Sequence, residues 1–149
     1  MGAGTVRTRG DLQTALEAGA QFIVSPNTLE AVVRSCVERG LPCFPGALTP
    51  TEVEYAWRLG ATAVKVFPIG AMGGVQYVKE LRGPFRDIPL LACGGVNTSN
   101  AADYLHAGCD LLAFGGSIFS MARMEAGAWA QIQSDIKKLR EAALGSIAV

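Results

Sequence analysis

Short apolar runs alternate with amphipathic stretches along the whole chain, in a repeat of about 25 residues. The runs are nearly continuous: Phe22-Ile23-Val24, Ala63-Val64-Lys65-Val66-Phe67, Leu90-Leu91-Ala92-Cys93 and Leu111-Leu112-Ala113-Phe114. A strand that is apolar on both faces is buried on both, as in a parallel sheet covered by helices. The stretches between them carry apolar residues at helical spacing and close on glycine, as at Gly19, Gly40, Gly60 and Gly108. Successive strand–helix units with right-handed crossovers leave two architectures, an open doubly wound sheet or a (β/α) barrel.

The pattern predicts strands over residues 3–6, 22–26, 42–47, 63–67, 90–93 and 111–114. Helices are expected over 8–18, 29–39, 49–60, 75–82, 97–107 and 129–143. Thr49-Pro50 reads as a helix start, threonine as cap and proline at the first position. Asn97, Thr98 and Ser99 are candidate caps for the fifth helix. The last helix shows Ile132, Ile136, Leu139 and Ala143 on one face, with Lys137, Lys138 and Arg140 placed to suit the dipole near its end. His106 falls near the end of the fifth helix, where the same dipole favours it.

With 149 residues, the chain reads as one domain, 1–149, large enough for a real core. Thirteen basic residues balance thirteen acidic ones, which leaves no basic stripe for nucleic acid and no polybasic membrane patch. The apolar runs are strand-sized, so no transmembrane span is expected. Met1-Gly2-Ala3-Gly4-Thr5 has neither part of a signal peptide, and Val6 breaks the myristoylation pattern. Cys36, Cys43, Cys93 and Cys109 form no Cys-x-x-Cys pair and His106 is the single histidine, so no metal site is expected and the thiols read as reduced and cytoplasmic. No Gly-x-Gly-x-x-Gly joins a strand to a helix, so no dinucleotide cofactor is expected.

Lys65 is the residue that composition does not explain. Strand alternation puts Lys65 and Phe67 on one face, with Val64 and Val66 on the other. Lysine is seldom buried unless paired or used. Apolar surroundings favour a neutral amine, which is the form that adds to a carbonyl to make a Schiff base. The competing reading is an edge-strand lysine whose amine reaches water. The other chemistry-capable residues, among them Thr5, Pro26, Gly94, Gly95 and Ser117, fall at the C-terminal ends of strands, where a barrel builds its active site.

Five segments, in order, carry a resemblance. They are Gly2-Ala3-Gly4-Thr5-Val6, Gln21-Phe22-Ile23-Val24-Ser25-Pro26, Phe44-Pro45-Gly46 with Thr49-Pro50-Thr51-Glu52, Val64-Lys65-Val66-Phe67-Pro68, and Gly94-Gly95-Val96-Asn97 with Gly115-Gly116-Ser117. Together they resemble the 2-keto-3-deoxy-6-phosphogluconate / 4-hydroxy-2-oxoglutarate aldolase family, class I pyruvate aldolases on a TIM barrel. The resemblance implies that Lys65 is the Schiff-base lysine. It also implies that Thr5 and Pro26 line the pyruvate moiety, with Phe67 packed beside the imine. Gly94, Gly95, Gly116 and Ser117 resemble the phosphate site, and glycine loops after the last strands suit an anion physically. Cys93 stands where the family usually has threonine, and a thiol is a weak donor for a substrate oxygen. The implied substrate is a 2-keto-4-hydroxy acid, phosphorylated if Ser117 is a guide, cleaved to pyruvate and an aldehyde without metal or organic cofactor.

The expected fold is therefore α/β, a TIM-type (β/α) barrel with six units present of an expected eight. By resemblance, Gly2-Ala3-Gly4-Thr5 is the third barrel strand. The two preceding units, with the family's acid/base glutamate and a nearby arginine, would then lie outside these residues. Glu52 and Glu54 read as helix N-terminal charges rather than substitutes. Open sheet edges at the first and last strands invite pairing, so a homo-oligomer is expected, a trimer by family or an assembly through strand edges. The alternative is a non-catalytic barrel fragment or assembly protein that keeps the fold without the acid/base group.

Overall fold

A computed structural model of the chain describes residues 1–147. The elements run α1 (Arg9–Glu17), β1 (Ile23–Val24), α2 (Glu30–Glu38), β2 (Cys43–Phe44), β3 (Gly46–Ala47), α3 (Pro50–Arg58), β4 (Val64–Val66), a 3-10 turn (Ile69–Met72), α4 (Val75–Arg82), β5 (Leu90–Cys93), α5 (Ala101–His106), β6 (Leu111–Ala113), α6 (Met121–Glu125) and α7 (Trp129–Ile147). The strand–helix alternation read from the sequence holds throughout, and the differences are local. The 3-10 turn and α6 escape periodicity because each is about one turn long.

The chain divides into two compact units. The first comprises Met1–Phe67 with Asp87–Leu91. In it β1 pairs with β2 and β3 with β4, both parallel. The expected strand over 3–6 is reduced to a single parallel bridge from Ala3 to Ile23. Thr5 has φ 59°, outside the extended region, so the regular register breaks there and Val24 O accepts from Val6 instead of Thr5. The expected strand over 42–47 is split at Pro45. Cys43 and Phe44 pair with β1, while Gly46 and Ala47 pair with β4. Proline has no N–H to give to a ladder, so the strand changes partner there. The core packs Val6, Leu12, Ile23, Val32, Val33, Cys36, Cys43 and Leu59.

Two helices of this unit start as the sequence indicates. Thr8 accepts the Asp11 N–H, and the Asp11 carboxylate accepts the N–H groups of Arg7 and Thr8. Thr49 and Glu52 repeat the arrangement at α3. Each is a capping box that satisfies donors a helix start would otherwise leave unpaired.

The second unit comprises Pro68–Arg86 and the chain from Ala92 on. Its core holds Ala101, Ile118, Ile132 and Leu139. Here β6 pairs with β5 and with no other described strand. Three expectations need correction here. The helix expected over 97–107 begins only at Ala101. Asn97 Oδ1 accepts from Ser99, and Asn100 Oδ1 accepts from Asn97, so these side chains hold a turn instead of a helix. The last helix runs on to Ile147. The basic cluster therefore lies within it, where Lys137 faces Glu141 and Lys138 faces Asp135, rather than at a dipole end. Ile132 and Leu139 are buried but Ile136 is 45% exposed, so the apolar face is only partly covered.

Candidate active site

Lys65 lies in the middle of β4, between Val64 and Val66, both fully buried, and is itself 9% exposed. Its N–H donates to Pro45 O at 2.9 Å, so the backbone is fixed by the neighbouring segment. Its Nζ lies 4.5 Å from the centroid of the Phe67 ring. This is the same-face pair that strand alternation predicts. The ring face attracts an ammonium. Among the described residues no carboxylate pairs with Nζ.

The neighbouring strand keeps the lysine's flank open. Gly46 is the register partner of Lys65, and partners in adjacent strands present their side chains to one face. Glycine presents none. Its place is also demanded from the other direction, because a Cβ there would fall 2.1 Å from Pro26 O. The Thr28 hydroxyl donates to Gly46 O at 2.9 Å. Pro26 and Thr28 thus hold β3 where it borders Lys65. Gly46 lies in the Phe44-Pro45-Gly46 segment of the chain. Its signal in the sequence was a glycine inside a strand, which marks close backbone approach.

The first unit also holds Thr5 and Pro26, but in different surroundings. Pro26 and Phe67 line one cavity of about 330 Å³ with Asn27, Thr28 and Glu52. Thr5 lines another, beside Asp11 and Thr14. Thr5 is the described non-glycine residue with positive φ, and a β-branched residue is strained there.

The second unit brings together the glycine loops after β5 and β6. Gly94 and Gly95 have φ near 90°, a conformation open to glycine alone at little strain. Asn100 Nδ2 donates to Gly95 O, and Gly70 N–H donates to Gly94 O. The Ser117 hydroxyl donates to Val96 O at 2.7 Å and ties the two loops to each other. That hydroxyl proton is therefore committed to the backbone. Among the described residues, the N–H groups of Gly95, Val96, Gly116 and Ser117 have no hydrogen-bond partner. A cluster of free N–H groups on glycine loops is the chemistry an anion requires. Cys93 ends β5, half-buried, just before them.

Glu52 and Glu54 serve local structure. Glu52 Oε2 accepts the N–H groups of Leu48 and Thr49, and Glu54 pairs with Arg58. The backbone donors, Thr49 first and then Leu48, hold the Glu52 carboxyl below the usual glutamate range. The four cysteines are free thiols. Among the described residues, no group of three histidine, cysteine or acidic side chains could hold a metal ion.

Comparison with known proteins places these features in a family. The profile of KDPG and KHG aldolases matches residues 1–134. The chain is 38% identical over 133 residues to the 2-dehydro-3-deoxy-phosphogluconate aldolase of Treponema pallidum. That match takes in 89% of this chain and 63% of the relative, so the chain spans less than two thirds of that relative's length. Among solved structures, the native KDPGal structure superimposes with a TM-score of 0.85 at 35% identity, over 96% of this chain and 69% of that one. The KDPG aldolase of Legionella pneumophila, captured with pyruvate as a covalent carbinolamine, gives a TM-score of 0.82 at 26% identity, over 93% and 66%. The fold is thus α/β and of the TIM-barrel type, with the barrel present in part. The chain belongs to the KDPG and KHG aldolase family.

Proposed function

We propose that this chain is the Schiff-base-forming part of a class I aldolase that cleaves a 2-keto-4-hydroxy acid to pyruvate and an aldehyde. The observation that carries this reading is Lys65: a nearly buried amine in an apolar strand, laid on an aromatic ring and bordered by a glycine. Family membership supports it, as does the covalent pyruvate adduct of the Legionella relative.

Nζ adds to the C2 ketone as the free amine to give a carbinolamine, which takes up a proton and loses water to leave an iminium. The iminium accepts the electron pair of the C3–C4 bond as it breaks, while the C4 hydroxyl gives up its proton and becomes the aldehyde carbonyl. The resulting enamine takes a proton at C3, and water releases pyruvate and restores the amine. Phe67 packs beside the imine, and Thr5 and Pro26 border the pyruvate moiety. The free N–H groups around Gly95 and Gly116 suit a substrate phosphate. Ser117 then serves by holding the loops, since its hydroxyl proton is engaged. Cys93 is the substrate-facing thiol at the end of β5. We assign residues 1–149 to one aldolase-type domain acting in the cytoplasm as a homo-oligomer. The end position of β6 and the exposure of Leu111 and Phe119, 40% and 45%, support a strand-edge association.

The test is reductive trapping. The protein is incubated with pyruvate and borohydride and weighed by mass spectrometry, beside Lys65→Ala and Lys65→Met. A stable pyruvyl adduct that both variants lack, while keeping the native circular dichroism, is the expected result. An unmodified wild-type protein would sink the proposal.

A further inference from the structure

The loop after β6 is fastened at more points than a surface turn requires. Gly115 O accepts the N–H groups of Ile118 and Phe119, each at 2.9 Å, which closes a tight turn over residues 115–119. The Ser117 hydroxyl ties this turn to Val96 O. The Ile118 side chain is buried in the core with Ala101, Ile132 and Leu139. A further contact comes from α6. Arg123 Nη1 donates to Ile118 O at 3.1 Å, so its guanidinium reaches back to the exit of the turn.

Arg123 can hold the turn only if it is held itself. The helix that carries it, α6, is five residues long and buries none of them, so packing does not fix it. The second anchor is α7, where Arg123 Nη2 donates to Asp135 Oδ2 at 2.7 Å. Exposed ion pairs hold little, because water screens them and two side chains must be ordered. This pair is better covered, with side-chain exposures of 26% for Arg123 and 21% for Asp135. Lys138 faces the other oxygen, Oδ1, at 3.7 Å, which leaves Oδ2 to Arg123. The Arg123 hydrogen bond holds the Asp135 carboxyl below the usual aspartate range, so the pair is charged at neutral pH. Ile132 and Asp135 lie three residues apart on α7 and share a face of it. That helix thus holds Ile118 twice, by its side chain in the shared core and by its carbonyl through Arg123.

We propose that Arg123, braced by Asp135, is a positioning residue that fixes the turn after β6 so that its Gly116 and Ser117 N–H groups meet a substrate phosphate. The inference rests on the aldolase reading and adds to it what sets the geometry of the phosphate loop. Arg123 acts through the Ile118 carbonyl rather than on the substrate. A loop already held in its binding geometry binds more tightly than one the ligand must order. Losing the brace therefore weakens the grip on the phosphorylated end and leaves the keto-acid end as it was.

Trapping on Lys65 at graded concentrations separates the two ends of the substrate. 2-Keto-3-deoxy-6-phosphogluconate and pyruvate are titrated separately against the protein and quenched with borohydride, and all adducts on Lys65 are counted by mass. Pyruvate carries no phosphate and reports the Schiff-base end alone. In Arg123→Gln the half-saturating concentration of the phosphorylated acid is expected to rise by about tenfold, the scale of one hydrogen bond to a charged group. Asp135→Asn weakens the brace without removing it and is expected to give a smaller rise. The half-saturating concentration of pyruvate stays unchanged in both variants. A rise shared by both acids, or none for the phosphorylated acid in either variant, overturns the positioning role and leaves the Schiff base intact. A wild-type protein that holds the phosphorylated acid no better than pyruvate overturns the phosphate loop and this inference with it. No Lys65 adduct from either acid in the wild type overturns the aldolase reading itself.

Discussion

At the scale of single residues, two positions near the lysine are set by backbone geometry. Gly46 has no room for a side chain, because its Cβ would overlap the Pro26 carbonyl, a backbone group that cannot swing away. Gly46→Ala is expected to destabilise the protein by about 2–3 kcal/mol, in the range for overpacking a tight site. It should also lower Lys65 trapping, since β3 borders the lysine. A urea midpoint unchanged from the wild type would show that the strand yields. Thr5 presents the opposite case, with φ 59° and no side-chain hydrogen bond to justify it among the described residues. Thr5→Gly relieves that strain and is expected to raise stability by about 1 kcal/mol, read from the same denaturation curve. Alternation alone put Lys65 and Phe67 on one face, as the structure has them. It could not announce the strain at Thr5, because a threonine between glycines and valines looks like any strand residue.

At the scale of elements, the helix starts are the most legible feature. Thr8 with Asp11, and Thr49 with Glu52, form closed boxes that depend on residues three apart. Thr49→Ala is expected to cost about 1 kcal/mol in denaturant unfolding. These boxes also predict an acid limb. Backbone donors hold the Asp11 and Glu52 carboxyls below their usual range in the folded protein. Their contribution is present above the unfolded carboxylate value and is lost as pH falls through the lower, folded value. Stability should therefore decline below about pH 4, and less steeply in Glu52→Gln than in the wild type. Equal slopes would remove Glu52 from the account. Strand limits were less legible than helix starts. Pro45 sends the two halves of one apolar run to different partners, and the choice of partner is not written in the run. The polar run from Asn97 to Asn100 carries cap residues throughout, so side-chain hydrogen bonds, not composition, decide that α5 starts late.

At the scale of the whole molecule, the end strand bears on association. Leu111, Phe119 and Ile136 line a mostly apolar cavity of about 550 Å³ along β6. Apolar surface next to an end strand favours pairing with another copy. Sedimentation velocity across a wide concentration range is expected to show association that Leu111→Lys weakens. A single species of monomer mass at every concentration would count against the homo-oligomer. Among the described residues no helix is long and apolar enough to cross a membrane.

The sequence by itself determined the alternation of strand and helix, the starts of α1 and α3 and the same-face placement of Lys65 and Phe67. All of these follow from interactions a few residues apart, where periodicity and hydrogen-bond reach are fixed by local geometry. Only the tertiary structure decided that Gly46 borders the lysine, that Ser117 gives its proton to Val96, and that Asn27 lies in the cavity lined by Phe67. Those facts join segments about 20 to 40 residues apart, and such pairings are set by which strand lies beside which, a choice no local pattern encodes.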